Sequence, residues 1–220
     1  MTVAVADDSC GRLHSSCLDT DNKVWTFVNW GRPFYLSSPI LTDPDYAPKQ
    51  IECGWTFSSM LTKSGDVFVW WPFEGSLETL VQQKMREMDN ETDKMAHPDG
   101  TSIPCVPWEV DLPPTRLPPI PSLPDLPDNG IQEEGRTTEL IQIAAFDNHI
   151  VGLTNLGHIL KFDSLHNETG VPHGHWEYVI IIPVMPPISY TEYHASSPNL
   201  VNCTNYQKFL YSLRQTSKTH

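Results

Sequence analysis

The densest group of side chains able to do chemistry is His158, His166, His173 and His175. Imidazoles this close together suggest a transition metal, and His173-Gly174-His175 is the pair best spaced to chelate one. Zinc needs further ligands, and no cysteine or carboxylate lies at a useful offset in a stretch that reads as loop, so no metal site is expected. Cys10 and Cys53 each precede a glycine, a setting that suits small buried core residues better than nucleophiles. No G-x-x-x-x-G-K-S/T, G-x-G-x-x-G or G-x-S-x-G motif occurs, so nothing points to a nucleotide site or a nucleophile elbow. The reading is therefore non-enzymatic: no catalytic residue and no cofactor. What remains are residues that recognise surfaces. Trp30, Trp71 and Phe73 fall at or beyond strand ends, where exposed aromatics would be binding hot spots. Pro118, Pro121 and Pro124 lie in a proline-rich run of the kind partner grooves read.

The elements that position these residues follow from a repeat. Residues 50–70 align without a gap on the segment 43 residues earlier and on the segment 92 residues later. Cys53-Gly54 falls on Cys10-Gly11, Ser58-Ser59 on Ser15-Ser16, and Val67-Phe68 on Val24-Trp25. In the third copy Ile51 meets Ile143, Phe57 meets His149, Leu61-Thr62 meets Leu153-Thr154, and Gly65 meets Gly157. Each copy reads as an antiparallel hairpin, over 13–28, 56–71 and 148–162. Asn22, Gly65 and Gly157 share the turn position, where a positive φ is expected. The strand Val67-Phe68-Val69-Trp70-Trp71 is apolar on both faces and so must be covered on both. A hairpin with two apolar faces cannot stand alone; stacked on its own copies, as in propeller blades, it can. The fold class expected is all-β: a partial β-propeller of three, possibly four, blades of antiparallel hairpins.

At these residues the sequence resembles the regulator-of-chromosome-condensation repeat, a family of seven-bladed β-propellers. Cys53-Gly54, Leu61-Thr62, Gly65, Val67-Phe68 and Trp70 carry the likeness. The stretches 24–34, 65–73 and 147–154 are similar to blades of fungal F-box proteins that bear these repeats. The Gly expected after the aromatic is replaced by Val28, Trp71 and Asp163, and no F-box is visible in the chain. The resemblance implies a protein-interaction propeller, the substrate-recognition part of an F-box subunit of a Skp–cullin–F-box ubiquitin ligase, binding a protein through its loops. The Skp adaptor itself is not expected to bind without an F-box. The alternatives are an exchange factor for a small GTPase, as in the family's namesake, or a truncated remnant without independent function.

Domain organisation reads as blades one and two over 1–73, an insertion over 74–138, blade three and a following strand over 139–192, and a tail over 193–220. Copies two and three are separated by about fifty residues more than one repeat length. Ser76 can cap an amphipathic helix over 76–89, with Leu77, Leu80, Val81, Met85 and Met88 at helical spacing. A polar acidic stretch follows, read as a mobile loop, and then a proline-rich segment over 104–127. There Leu117, Ile120, Leu123 and Leu126 recur every third residue, as do Pro118, Pro121, Pro124 and Pro127. Three residues per turn is the period of polyproline II, so an aliphatic edge is expected to pack along the blades as a strut. In the tail, Tyr206, Phe209, Leu210 and Leu213 mark a short amphipathic helix.

Composition narrows the partners further. The chain has 220 residues, with 14 Lys and Arg against 27 Asp and Glu, for a net charge of −13. Duplex DNA and anionic membranes attract cations, so neither is expected as the main partner. The longest apolar run, 179–185, is far short of the ~20 residues of a membrane span. Five cysteines, an odd count without a secretory leader at Met1, read as reduced thiols of a cytoplasmic or nuclear protein.

Overall fold

The computed structural model describes residues 4–28, 32–37, 41, 43–90, 107–122 and 137–179. Trp30, Leu123, Pro124, Leu126, residues 91–100 of the 89–100 stretch expected to be a loop, and the 193–220 tail lie outside them; Asp89 and Asn90 instead end the helix that precedes them. The described chain forms three blades of a β-propeller. Blade one contains β1 (Val5–Cys10), β2 (Ser15–Asp19), β3 (Val24–Phe27) and β4 (Pro33–Leu36). Blade two begins with β5 (Pro48–Cys53), β6 (Ser58–Thr62) and β7 (Val67–Trp70). The helix α1 (Gly75–Asn90), β8 (Trp108–Val110) and β9 (Thr115–Arg116) belong to the insertion. Blade three is β10 (Leu140–Ala145), β11 (Ile150–Thr154), β12 (Ile159–Phe162) and β13 (Trp176–Tyr178).

The hairpins β2–β3, β6–β7 and β11–β12 stand where the repeat puts them. Asn22, Gly65 and Gly157 have φ of 62°, 82° and 90°. Each turn is closed by the same pair of backbone bonds, for example Thr62 N–H to the Asp66 carbonyl and Gly65 N–H to the Thr62 carbonyl. The repeat unit is larger than a hairpin, however. A strand precedes each one (β1, β5, β10), and each carries a register shift at the same place, Val5/Asp7, Pro48/Gln50 and Leu140/Gln142. The period-two pattern of these strands is weak because a bulge resets which face each residue occupies.

Blade two is the middle layer, and its strands show why they are apolar on both faces. Phe68 and Trp70 of β7 enter the core shared with blade one, alongside Leu18, Phe34, Ile51 and Met60. Val67, Val69 and Trp71 enter the core shared with blade three, alongside Ile143, Ile150, Leu160 and Phe162. Alternate side chains of one strand thus feed two cores, a consequence of the two-residue strand period. Polar bonds cross the same interfaces. Ser16 Oγ lies 2.9 Å from Ser58 Oγ, and the Trp70 indole donates to Thr26 Oγ1 at 3.1 Å. Gln50 exchanges two bonds with the Ile143 backbone, through Nε2 to its carbonyl and Oε1 from its N–H. Buried hydroxyls and amides are tolerated because each finds a partner.

The insertion wraps the outer edges of the blades. Leu77, Val81 and Met88 seat α1 on the core between blades one and two, while Leu80 stays 39% exposed. β8 pairs in parallel with β4, and β9 pairs antiparallel with β7, so Trp108–Val110 and Thr115–Arg116 are edge strands and not polyproline II. The threefold phase holds just after them: Leu117 is buried and Ile120 packs on the core, while Pro118 and Pro121 face outward. The Pro118 carbonyl accepts the Trp176 indole N–H at 2.8 Å, tying this stretch to blade three.

Candidate partner-binding surface

The loops that join the first and second strands of each blade gather at one end of the stack. They share a register: Gly11, Gly54 and Phe146, then Arg12, Trp55 and Asp147, then Leu13, Thr56 and Asn148, then His14, Phe57 and His149. A bond closes each loop in the same way, Gly11 N–H to the His14 carbonyl, Gly54 N–H to that of Phe57, and Phe146 N–H to that of His149. The loops are also strung together, Arg12 N–H to the Trp55 carbonyl at 3.4 Å and Trp55 N–H to that of Asp147 at 3.3 Å. Such close approach explains Gly54: a Cβ there would lie 2.5 Å from the Phe146 carbonyl oxygen.

At the last position of the loop in blades one and two the side chain points inward. Phe57 is fully buried and rests 6.4 Å from the Trp71 ring. His14 is 5% exposed, with neither ring nitrogen hydrogen-bonded among the described residues. Burial drives its pKa from 6.5 down to about 4, the Phe57 backbone pulling weakly the other way. His149 stacks flat on Phe146 at 4.8 Å, and its pKa is lowered by burial and by nearby Lys161.

The two positions before it point outward. Leu13 is 65% exposed and Trp55 44% exposed, and the Arg12 guanidinium lies 4.8 Å over the Trp55 ring. Phe73, half-buried, reaches the same end and meets His14 edge-on at 6.3 Å. An exposed tryptophan held in place by a stacked arginine is the composition of an interface anchor.

Trp71 does not belong to this surface. It is 2% exposed, and its indole donates to the Leu165 carbonyl at 3.0 Å, because the strand-end position faces the core between blades two and three. Of the sequence-derived candidates, Phe73 is at the surface described, and Pro118 and Pro121 lie exposed on the outer edge, away from it. Trp30 and Pro124 fall outside the described residues. Trp55 is not among the sequence-derived candidates; its signal in the sequence is an aromatic where the other copies carry Arg12 and Asp147.

The four histidines are dispersed. His158 is buried in blade three, bonded to Thr154 and edge-on to Tyr178, while His175 pairs with Glu177 on β13. Among the described residues no three metal-ligating side chains converge. Cys53 is buried, its thiol pKa pushed up to about 11 by burial, so it is unreactive. Cys10, expected to be buried like its counterpart, is exposed: no blade among the described residues packs beyond β1. No helix among the described residues is long and apolar enough to cross a membrane.

No family model matches the sequence, and no curated protein matches it significantly. Among solved structures the chain is similar to human WBSCR16, at 17% identity over 74% of this chain and 36% of that one, with a TM-score of 0.41. It is also similar to yeast RCC1 (Prp20) in its complex with Kap60, at 15% identity over 83% and 39%, with a TM-score of 0.39. A structure of Prp20p from Saccharomyces cerevisiae, studied for its binding to Gsp1p and histones, gives 14% identity over 83% and 40%, with a TM-score of 0.40. The chain thus spans less than half the length of each of these proteins.

Proposed function

We propose that this chain is a non-enzymatic protein-interaction module that binds a protein partner through the loop end of its blades. The observation that carries this reading is Trp55, 44% exposed beneath a stacked Arg12 and beside the 65%-exposed Leu13. Seating this half-exposed aromatic against a partner would remove apolar surface from water. Burying most of its exposed surface in an interface is the kind of contact that dominates binding.

The finer reading follows the sequence resemblance alone: the partner is a ubiquitination substrate, and the blades act as the recognition part of an F-box-type ligase subunit. In this reading the chain works in the cytoplasm or nucleus, in keeping with the odd number of cysteines in its sequence, and it does not hold the Skp adaptor itself.

A photo-crosslinking residue in place of Leu13 tests the module in cell extract, with the same residue in place of Tyr178, on the outer edge of blade three, as control. The expected result is a discrete crosslinked protein from the first position and none from the second. A ubiquitinated species among the products favours the ligase reading. Accelerated nucleotide release from a crosslinked small GTPase would favour the exchange-factor alternative. Equal crosslinking at both positions would remove the assignment of the loop end.

A further inference from the structure

The three turns, at the opposite end of the strands, share one side-chain bond, accepted by threonine in copies two and three and by aspartate in copy one. Before the turn, Thr62 Oγ1 accepts the Asp66 N–H, and Thr154 Oγ1 accepts the His158 N–H. Copy one has Asp19 in this place, 6% exposed. Its Oδ1 accepts the N–H groups of Asp21 and Lys23, and its Oδ2 accepts the Trp25 indole at 2.7 Å. The residues at the other two changed positions are Lys23, where Asp66 and His158 stand in the other copies, and Trp25, where Phe68 and Leu160 stand. Copy one alone brings an aspartate, a lysine and a tryptophan together at these three positions.

The departures build a corner. The rings of Trp25 and Tyr35 meet at 75° with centroids 5.2 Å apart, and the Lys23 ammonium sits inside, 3.4 Å from the Tyr35 centroid and 4.9 Å from that of Trp25. Glu109 forms the third side, accepting the Tyr35 hydroxyl at 2.8 Å. In blade two a cation also lies over a ring, Arg116 over Tyr46, but it is tied to Asp66 at 2.7 Å. Lys23 rests on the rings, with Glu109 near enough to feel its charge. The corner opens into a cleft of about 1010 Å³ between blades one and two, lined by Asp19, Asp21, Glu109 and Asp111 and reaching Met60 and Trp70.

Two steeply inclined aromatic walls beside the Asp21, Glu109 and Asp111 carboxylates select cations and repel phosphates. We propose that this cleft binds a lysine or arginine side chain of a protein partner, which displaces Lys23 from the corner of Trp25 and Tyr35. Lys23 is the resident stand-in, holding the walls apart until the partner's cation arrives. The site is independent of the loop-end surface, which lies at the far end of the same strands.

The test is calorimetric titration of the full chain with a capped decapeptide of alternating lysine and glycine, and with the matching glutamate peptide. Lys23→Met removes the internal competitor, and Lys63→Met removes an equal charge from an exposed turn in blade two. The lysine peptide is expected to bind Lys23→Met roughly two- to fivefold more tightly than Lys63→Met, the range of a surface cation–π contact. Tyr35→Leu in the Lys23→Met background should abolish that gain, with an unchanged circular dichroism spectrum showing that the fold survives. Equal affinity of the two lysine variants, or a gain that persists in Tyr35→Leu, would overturn the proposal. So would binding of the glutamate peptide, or spermidine binding with Tyr35 dependence where the peptide has none.

Discussion

His14 offers a buried titration that a single substitution should erase. Its ring sits where blade two has Phe57, is 5% exposed, and has no hydrogen-bond partner among the described residues. A base whose folded pKa is about 4 against 6.5 unfolded binds its proton only after the chain opens. Above pH 6.5 neither state is protonated and the group costs nothing in linkage. As pH falls below 6.5 the unfolded state gains a proton and stability drops, until both states are protonated near pH 4. At roughly 1.4 kcal/mol per pH unit, the whole window is worth about 3 kcal/mol, and about 2 kcal/mol by about pH 5. His14→Phe copies the residue of blade two and removes the two orphaned nitrogens, whose burial costs about 1–3 kcal/mol. Urea unfolding of both proteins at about pH 7.5 and about pH 5 isolates the effect, because the two proteins differ at no other titratable group. The variant should be the more stable at both values, with the gap wider by about 2 kcal/mol at the lower one. If both proteins lose the same stability on acidification, His14 is not buried and neutral as described. His14→Leu, smaller than Phe, should show the same flattening if the larger ring strains the loop.

Gly65→Val forces a β-branched residue to φ 82° with its Cβ 3.0 Å from Leu140 N, so a loss above about 2 kcal/mol in chemical unfolding is expected. Asn22→Gly, at the same turn position, should be neutral within about 0.5 kcal/mol. Leu117→Ala empties a buried place between blades two and three and should cost about 2–4 kcal/mol. Trp176→Phe keeps the packing on Phe162 but loses the bond to Pro118, about 1 kcal/mol, and should speed tryptic cleavage at Arg116.

The hairpins were legible because three copies reported the same turn chemistry, and the φ values at Asn22, Gly65 and Gly157 obey it. The strand before each hairpin was harder to see, since the bulge at Pro48/Gln50 and its counterparts breaks the alternation that marks a strand. Edge strands β8 and β9 are three and two residues long, too short for any periodic signal, and their backbones are recruited by the open edges of β4 and β7. Leu117 and Ile120 kept the phase of the strut because packing, not backbone conformation, sets which edge is apolar. The binding surface was the least legible part. Trp71 and Trp55 are both tryptophans next to strands, and only the stacking of blade three on blade two buries one and leaves the other in water.

The claim that the loop end is the working surface rests on Trp55 more than on any other residue. The direct measurement is the affinity of the crosslinked partner, once identified, for the parent chain and for Trp55→Ala, with unfolding midpoints matched to show that stability is unaffected. Loss of an interface anchor of this kind should weaken binding by at least about tenfold, roughly 1.4 kcal/mol or more. Arg12→Ala should weaken it by a smaller factor through the lost stacking. An unchanged affinity in Trp55→Ala would place the partner elsewhere on the blades and contradict the account.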